Sequence, residues 1–377
     1  MSVDNGNDSD SDNDNSAPSF TEQQKIALTF SYMAYLGFGD AGSDRQNAHH
    51  ILSEIKCAIA SWPGMDDDWD VVWGPAVFAL PGTVFDDAFL FLVRQKSDPN
   101  QYYLAIRGTN PVSIPNWIIW DFQAKQQKAW PFVTPTEEFQ PKISESTNFG
   151  FNTIYSIRPP IGVPGQQLTL LEGLHHELKD KPDAKVCVTG HSLGGALAPT
   201  VALWLTEVQA DQELSGVEFS TVAFAGPTAG NADFAKHSNE KLKGKSTRIA
   251  NHLDIVTHAW VTESMEQLTG VYCKGSLPWV LPTAPTWWFI KSLTSQSIDK
   301  QYTHIEDAII LQGEKYWPKP KLFGIDYPFA LLYLGQAVYQ HVWSYPQLMG
   351  MADRIPTDKL FSVGVIPEII SSLVRRR

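Results

Sequence analysis

Val186-Cys187-Val188-Thr189-Gly190-His191-Ser192-Leu193-Gly194-Gly195-Ala196 joins an apolar run to a long segment of small and apolar residues. The pattern predicts a buried strand over 184–188, a sharp turn, and a helix over 193–208. Such a turn forces its central residue into a strained backbone conformation and leaves no room beside it, a demand that Gly190 and Gly194 meet. Ser192 then projects from a sheet edge at the positive end of a helix. Gly-Xaa-Ser-Xaa-Gly strings arise by chance in many chains. The strand before this one and the helix after it make Ser192 a candidate nucleophile.

The same alternation continues on either side. A helix opens at Thr21, where Thr21 and Gln24 have capping-box spacing and Ile26, Phe30 and Met33 share one face. Strands over 89–95 and 102–107, separated by the turn-forming Ser97-Asp98-Pro99-Asn100, read as a hairpin. A helix over 168–180 carries Leu171, Leu174 and Leu178 on one stripe. Strands over 220–225 and 246–251 flank a helix over 231–242. Strands alternating with helices predict an α/β fold, a mostly parallel sheet with helices on both faces. From Thr257 onward the density of Trp and Pro defeats assignment. Residues 21–377 show no internal repeat and no second domain boundary. Residues 1–20, with Asp4, Asp8, Asp10, Asp12 and Asp14 among Asn and Ser, read as a disordered acidic arm.

Composition removes several function classes. A net charge of −12 offers no basic excess to displace counterions from a nucleic-acid backbone. No stretch is apolar enough for a transmembrane helix. The N-terminus lacks the apolar core of a Sec signal, so a cytoplasmic chain or export by a non-Sec route is expected. Cys57, Cys187 and Cys273 form no CxxC pair and support at most one bridge. His175-His176-Glu177 lacks a second histidine at metal-binding spacing and reads as a solvated helix face, so neither a metal nor another cofactor is expected. The 13 tryptophans, rings with one polar edge, suit contact with greasy matter.

A serine hydroxyl near neutral pH needs a histidine to take its proton and a carboxylate to hold that histidine. On this kind of sheet the order is Ser, Asp, His. Asp254, just past the strand over 246–251, is placed to reach the sheet's carboxyl edge. Of the later histidines His258 is too close to fold back onto Asp254, which leaves His304 and His341.

Gly190-His191-Ser192-Leu193-Gly194-Gly195 resembles the nucleophile motif of class 3 (fungal-type) triacylglycerol lipases, which have the α/β-hydrolase fold. Leu104-Ala105-Ile106-Arg107-Gly108-Thr109 is similar to that family's oxyanion strand, and Ser113-Ile114-Pro115-Asn116-Trp117-Ile118 to the start of its lid. Gly150-Phe151 with Tyr155, Ala225-Gly226-Pro227 with Gly230-Asn231, and Asp254-Ile255-Val256 match further family segments. The resemblance implies catalysis by Ser192, Asp254 and His341, since Tyr302-Thr303-His304 matches an earlier, non-catalytic histidine. It implies oxyanion donors at Thr109 and Leu193, the latter also by its place after the nucleophile. It implies a lid over the site within 112–122, carrying Ile114, Trp117, Ile118 and Trp120; the other reading of that segment is a helix packed permanently in the core. Trp279, Trp287, Trp288 and Phe289 are candidates for an acyl pocket or for a loop core.

The chain departs from secreted fungal members in lacking a signal peptide and their disulfides, in Thr257 where proline commonly follows Asp-Ile-Val, and in the long stretch between Asp254 and His341. The expected function is hydrolysis of acylglycerol esters through an acyl-enzyme on Ser192, at a lipid–water interface. A phospholipase A1-type or feruloyl-type esterase shares these motifs. A lipase-like scaffold that binds lipid or protein without turnover is the alternative of another class.

Overall fold

Seven strands form one sheet in the computed structural model, which describes residues 19–37, 44–79, 86–108, 125–268, 270–272, 284–315, 321–322, 325–326 and 329–361. In chain order these are β1 (Trp69–Ala79), β2 (Asp86–Gln95) and β3 (Gln101–Ile106), then β6 (Lys185–His191), β7 (Glu218–Phe224), β8 (Ser246–Asn251) and β9 (Ala308–Leu311). Between them β4 (Gln127–Ala129) and β5 (Lys142–Ser144) pair as a separate ribbon. The sheet order is β1-β2-β3-β6-β7-β8-β9. The β1–β2 and β2–β3 pairs are antiparallel, and every pair from β3 to β9 is parallel.

The helices that cover the sheet are α1 (Glu22–Met33), α2 (Asp44–Ser61), α3 (Glu145–Ser156), α4 (Leu170–Leu178), α5 (Leu193–Val208) and α6 (Ala232–Lys241). The two-residue period of a strand divides the core between them. Phe89, Phe91, Val93, Tyr103 and Ala105 pack with α1, α2 and residues 338–361 on one face. Leu90, Leu92, Tyr102, Leu104 and Ile106 pack with α3, α4 and α5 on the other. Each of the Leu, Ile, Val and Phe side chains contributes about 1.5–3 kcal/mol of burial, so a one-residue slip of β2 or β3 would be very costly.

Several sequence expectations hold in detail. Thr21 caps α1 in a full capping box with Gln24, and α5 and β8 have the expected bounds. Other features differ. On α4 the buried leucines are Leu170, Leu174 and Leu178, while Leu171 is only partly buried, because the helix begins later and its inward face falls one residue earlier. Glu177 is not on a solvated face. It accepts hydrogen bonds from Arg94, Tyr102 and Lys181 in a half-buried network. β6 runs three residues beyond 188 because its pairing with β7 continues to His191↔Phe224, which carries the strand right up to Ser192. β1 is not apparent in the sequence because Gly74-Pro75 interrupts its pattern. As an edge strand with register shifts between Trp73 and Ala76, it tolerates a proline there.

Cys57 is an exposed free thiol and Cys187 a buried one; Cys273 lies outside the described residues. Among those residues no helix is long and apolar enough to cross a membrane.

Candidate active site

At the end of β6 the chain turns at Ser192, with φ 64° and ψ −128°, straight into α5. A residue bearing a Cβ pays on the order of 1–3 kcal/mol to sit there. Neighbouring bonds hold it in place. Its amide donates to the Phe224 carbonyl at 3.0 Å, and its carbonyl accepts from the Gly195 amide at 2.8 Å. Close approach dictates the flanking glycines, since a Cβ on Gly190 would strike the Gly194 carbonyl and one on Gly194 the Ile106 carbonyl. The end of β3 comes so near that a Cβ on Gly108 would lie 2.8 Å from that of Ser192. Ser192 is buried, and among the described residues its Oγ has no hydrogen-bond partner. Leu193 opens α5, so its amide belongs to the helical turn whose N–H groups lack intrahelical acceptors. Thr109 and the candidate lid residues Ile114, Trp117, Ile118 and Trp120 lie outside the described residues, as do Trp279 and the side chains of Trp287, Trp288 and Phe289.

Asp254 follows β8 by a tight turn and caps a short 3₁₀ helix, Ile255–His258. Its Oδ1 accepts from the Val256 amide at 3.0 Å. Its Oδ2 accepts from His341 Nδ1 at 2.8 Å and from the Tyr345 hydroxyl at 2.8 Å. The carboxylate is fully buried, and these charge-assisted bonds replace its lost hydration. Because an ionised carboxylate only accepts, the His341 proton sits on Nδ1 and its Nε2 is left as an acceptor. Among the described residues that buried Nε2 has no hydrogen-bond partner, like Ser192 Oγ, so the two are not bonded to each other. His341 itself stands in a π-helical turn, Tyr339–Trp343, a distortion that often marks functional sites.

A second set of groups packs behind this pair. The His191 ring lies 4.6 Å from the His341 ring, centroid to centroid, and its Nε2 donates to the His341 carbonyl at 2.8 Å. Its Nδ1 therefore accepts from the Tyr35 hydroxyl at 3.0 Å. Burial, with His341 beside it, holds His191 far below the usual histidine range, so it remains neutral. Tyr345, Tyr35 and His191 were not singled out from sequence for these roles. The Tyr345 signal was present in its spacing of four residues from His341, one helical turn.

Thus Ser192, Leu193, Asp254 and His341 gather at the carboxyl edge of the sheet, and the imidazole on Asp254 is that of His341. His304 lies elsewhere. It is partly buried near the Arg248 guanidinium, bonded to the Thr257 backbone, and depressed to about 3, chiefly by burial and then by Arg248. Its folded-state value is below its unfolded one, so the unfolded chain binds the extra proton between about 6.5 and 3. Stability is therefore expected to fall as pH drops through that window. Urea titrations from pH 7 to 4 check this, and His304→Gln should flatten the dependence.

The groups brought together are a strained serine hydroxyl, a carboxylate-held imidazole and a helix N-terminus, the parts used in acyl transfer. Comparison with known proteins adds an independent line. The chain is 40% identical to M37 lipase, whose solved structure superposes with a TM-score of 0.83 over 93% of this chain and 99% of that one. It is 32% identical over 109 residues to the chloroplastic phospholipase A1-Igamma2 of Arabidopsis thaliana, a match covering 28% of this chain and 20% of that one. It is 30% identical over 106 residues to the secreted mono- and diacylglycerol lipase LIP4 of Malassezia restricta, covering 28% and 32%. The chain thus spans a third or less of these two curated relatives. A family model described as Lipase (class 3) matches residues 103–263, and with the near-complete match to M37 lipase this shows that the chain belongs to the class 3 lipase family, with its α/β-hydrolase-type fold.

Proposed function

We propose that this protein hydrolyses carboxylic esters of acylglycerols through a covalent acyl-enzyme on Ser192. The observation that carries the reading is the 2.8 Å bond between Asp254 and His341, whose ring packs against that of His191, the residue before the buried, positive-φ Ser192. In this mechanism His341 Nε2 removes the Ser192 proton as Oγ attacks the ester carbonyl. The tetrahedral oxyanion receives the Leu193 amide and, from the family resemblance, that of Thr109. His341 then protonates the departing alcohol, and Oγ keeps the acyl group. Water, activated by the same imidazole, attacks the acyl-enzyme and releases the acid. Asp254 remains ionised throughout and stabilises the imidazolium that forms twice in each cycle.

Ile114, Trp117, Ile118 and Trp120 fit a lid that exposes an apolar face at a lipid surface, and residues 21–377 fit one lipase-like domain preceded by an acidic arm. The substrate is then a lipid ester at an interface, with no nucleic acid involved. A second reading, phospholipase A1-type cleavage, is favoured by the similarity to the Arabidopsis relative of that name. The test compares p-nitrophenyl esters from short to long acyl chains, triacylglycerol emulsions and phosphatidylcholine vesicles. Long-chain ester and emulsion turnover that rises above the substrate's solubility limit is expected. Turnover of phosphatidylcholine alone would move the assignment to the second reading. A folded protein inert on all of them would leave the non-catalytic scaffold.

A further inference from the structure

The turn that carries His341 is not held by its own backbone alone. In an α-helix the Ser344 amide would bond the Gln340 carbonyl; here it bonds the Tyr339 carbonyl, five residues back. Three successive carbonyls then take side-chain donors. The Gln340 carbonyl accepts from Ser344 Oγ at 2.5 Å and Asn251 Nδ2 at 3.3 Å. The His341 carbonyl accepts from His191 Nε2 at 2.8 Å, and the Val342 carbonyl from Tyr32 Oη at 2.6 Å. Asn251 Nδ2 also reaches Gln340 Oε1 at 2.7 Å and Ser344 Oγ at 2.9 Å. Tyr32 and Asn251 are fully buried and come from α1 and the end of β8, far apart in sequence.

The wide turn has a geometric consequence. One extra residue per turn rotates everything after it by about 100°, and in this register His341 Nδ1 and Tyr345 Oη both meet Asp254 Oδ2. Relaxation to an ordinary α-turn would turn one of them away. Asn251 also ties the carboxylate side to this turn, since its Oδ1 accepts from the Leu253 amide and its carbonyl from the Asp254 amide.

We propose that Tyr32 and Asn251 are positioning residues for the acid–base pair: their side chains lock the π turn and so fix the His341 imidazole on Asp254. The inference rests on the functional reading above. Tyr32 is suited to the role because burial keeps its hydroxyl protonated far beyond the usual tyrosine range, so it donates at every working pH. Its ring is wedged 5.2 Å from the His191 ring and 6.1 Å from that of Phe361, so a phenylalanine can occupy the same space.

The test compares Tyr32→Phe with Tyr333→Phe, which loses an equivalent buried bond to the Leu268 carbonyl in another part of the core. Both variants should lose similar thermal stability. Tyr32→Phe alone is expected to lower kcat about tenfold with KM unchanged, since small misplacements of a catalytic group are costly. It should also shift or broaden the far-downfield proton resonance of His341 Nδ1–H. Asn251→Ser, which removes the other lock, should do the same, and it supplies the result if Tyr32→Phe does not fold. Equal kcat and an unchanged resonance in Tyr32→Phe and Tyr333→Phe would overturn the proposal. A wild type without Ser192-dependent turnover would instead overturn the reading beneath it, and the resonance would then decide the positioning alone.

Discussion

Ser192→Ala is expected to lower kcat for ester hydrolysis by about 10⁶-fold, the order seen when a serine hydrolase loses its nucleophile. The residual rate would come from the oxyanion site and binding alone. Among the described residues no other hydroxyl offers a substitute. The buried hydroxyls of Tyr35, Tyr345 and Tyr32 are committed to His191, Asp254 and the Val342 carbonyl and held protonated by burial. The same position should show the conflict between strain and activity. At φ 64° a glycine sits without penalty, so Ser192→Gly is expected to be as inactive as Ser192→Ala and more stable than it by about 1 kcal/mol. Denaturant midpoints at equal m-value measure the difference. A Ser192→Gly protein less stable than Ser192→Ala would show that the turn is not strained.

The acid–base pair gives the second large effect. His341→Ala should match Ser192→Ala, and the double variant should cost little more, because residues acting as one unit lose their contribution together. Asp254→Asn should cost about 10⁴-fold, through the tautomer rather than the fold. With its oxygen on the Val256 amide, the new amide group would face two donors, His341 Nδ1–H and the Tyr345 hydroxyl. The imidazole would then move its proton to Nε2, where it cannot accept one from Ser192. His304→Gln should leave kcat within a few-fold of wild type, since that histidine bonds the Thr257 backbone and lies beside Arg248. Large loss in His304→Gln with retention in His341→Ala would transfer the base to His304.

How much of this was legible in the sequence follows the distance over which each contact acts. The β6–Ser192–α5 unit is local: glycine spacing, an apolar strand and a small-residue helix are contiguous, and the structure has them in that order, with the strand running three residues further than read. Asp254 was reachable because it follows a recognisable strand. The choice of His341 over His304 was not open to residue-level reading, since the intervening segment gave no elements, and it came from family resemblance. The support for His341 was hidden for a stronger reason. Tyr32 meets Val342 across 310 positions, Tyr35 meets His191 across 156, and Asn251 meets Tyr345 across 94. Tyr32 on α1 and Tyr35 in the turn just after it look like ordinary core aromatics, because a helical period reports which face is buried and not which hydroxyl finds a carbonyl. The π turn is likewise silent, as its extra residue changes the backbone register without any residue type that demands it. Thr109 and the lid candidates fall outside the described residues, so they remain readings of sequence.

The whole mechanism turns on acylation of Ser192. Diethyl p-nitrophenyl phosphate, which phosphorylates an activated serine and releases p-nitrophenolate, tests it most directly when followed by intact-mass and peptide mass spectrometry. One adduct per chain is expected, located on Ser192, with ester hydrolysis lost in proportion to labelling and no adduct on His341→Ala. Hydrolysis that survives complete labelling of Ser192, or inactivation with the adduct on another residue, would contradict it.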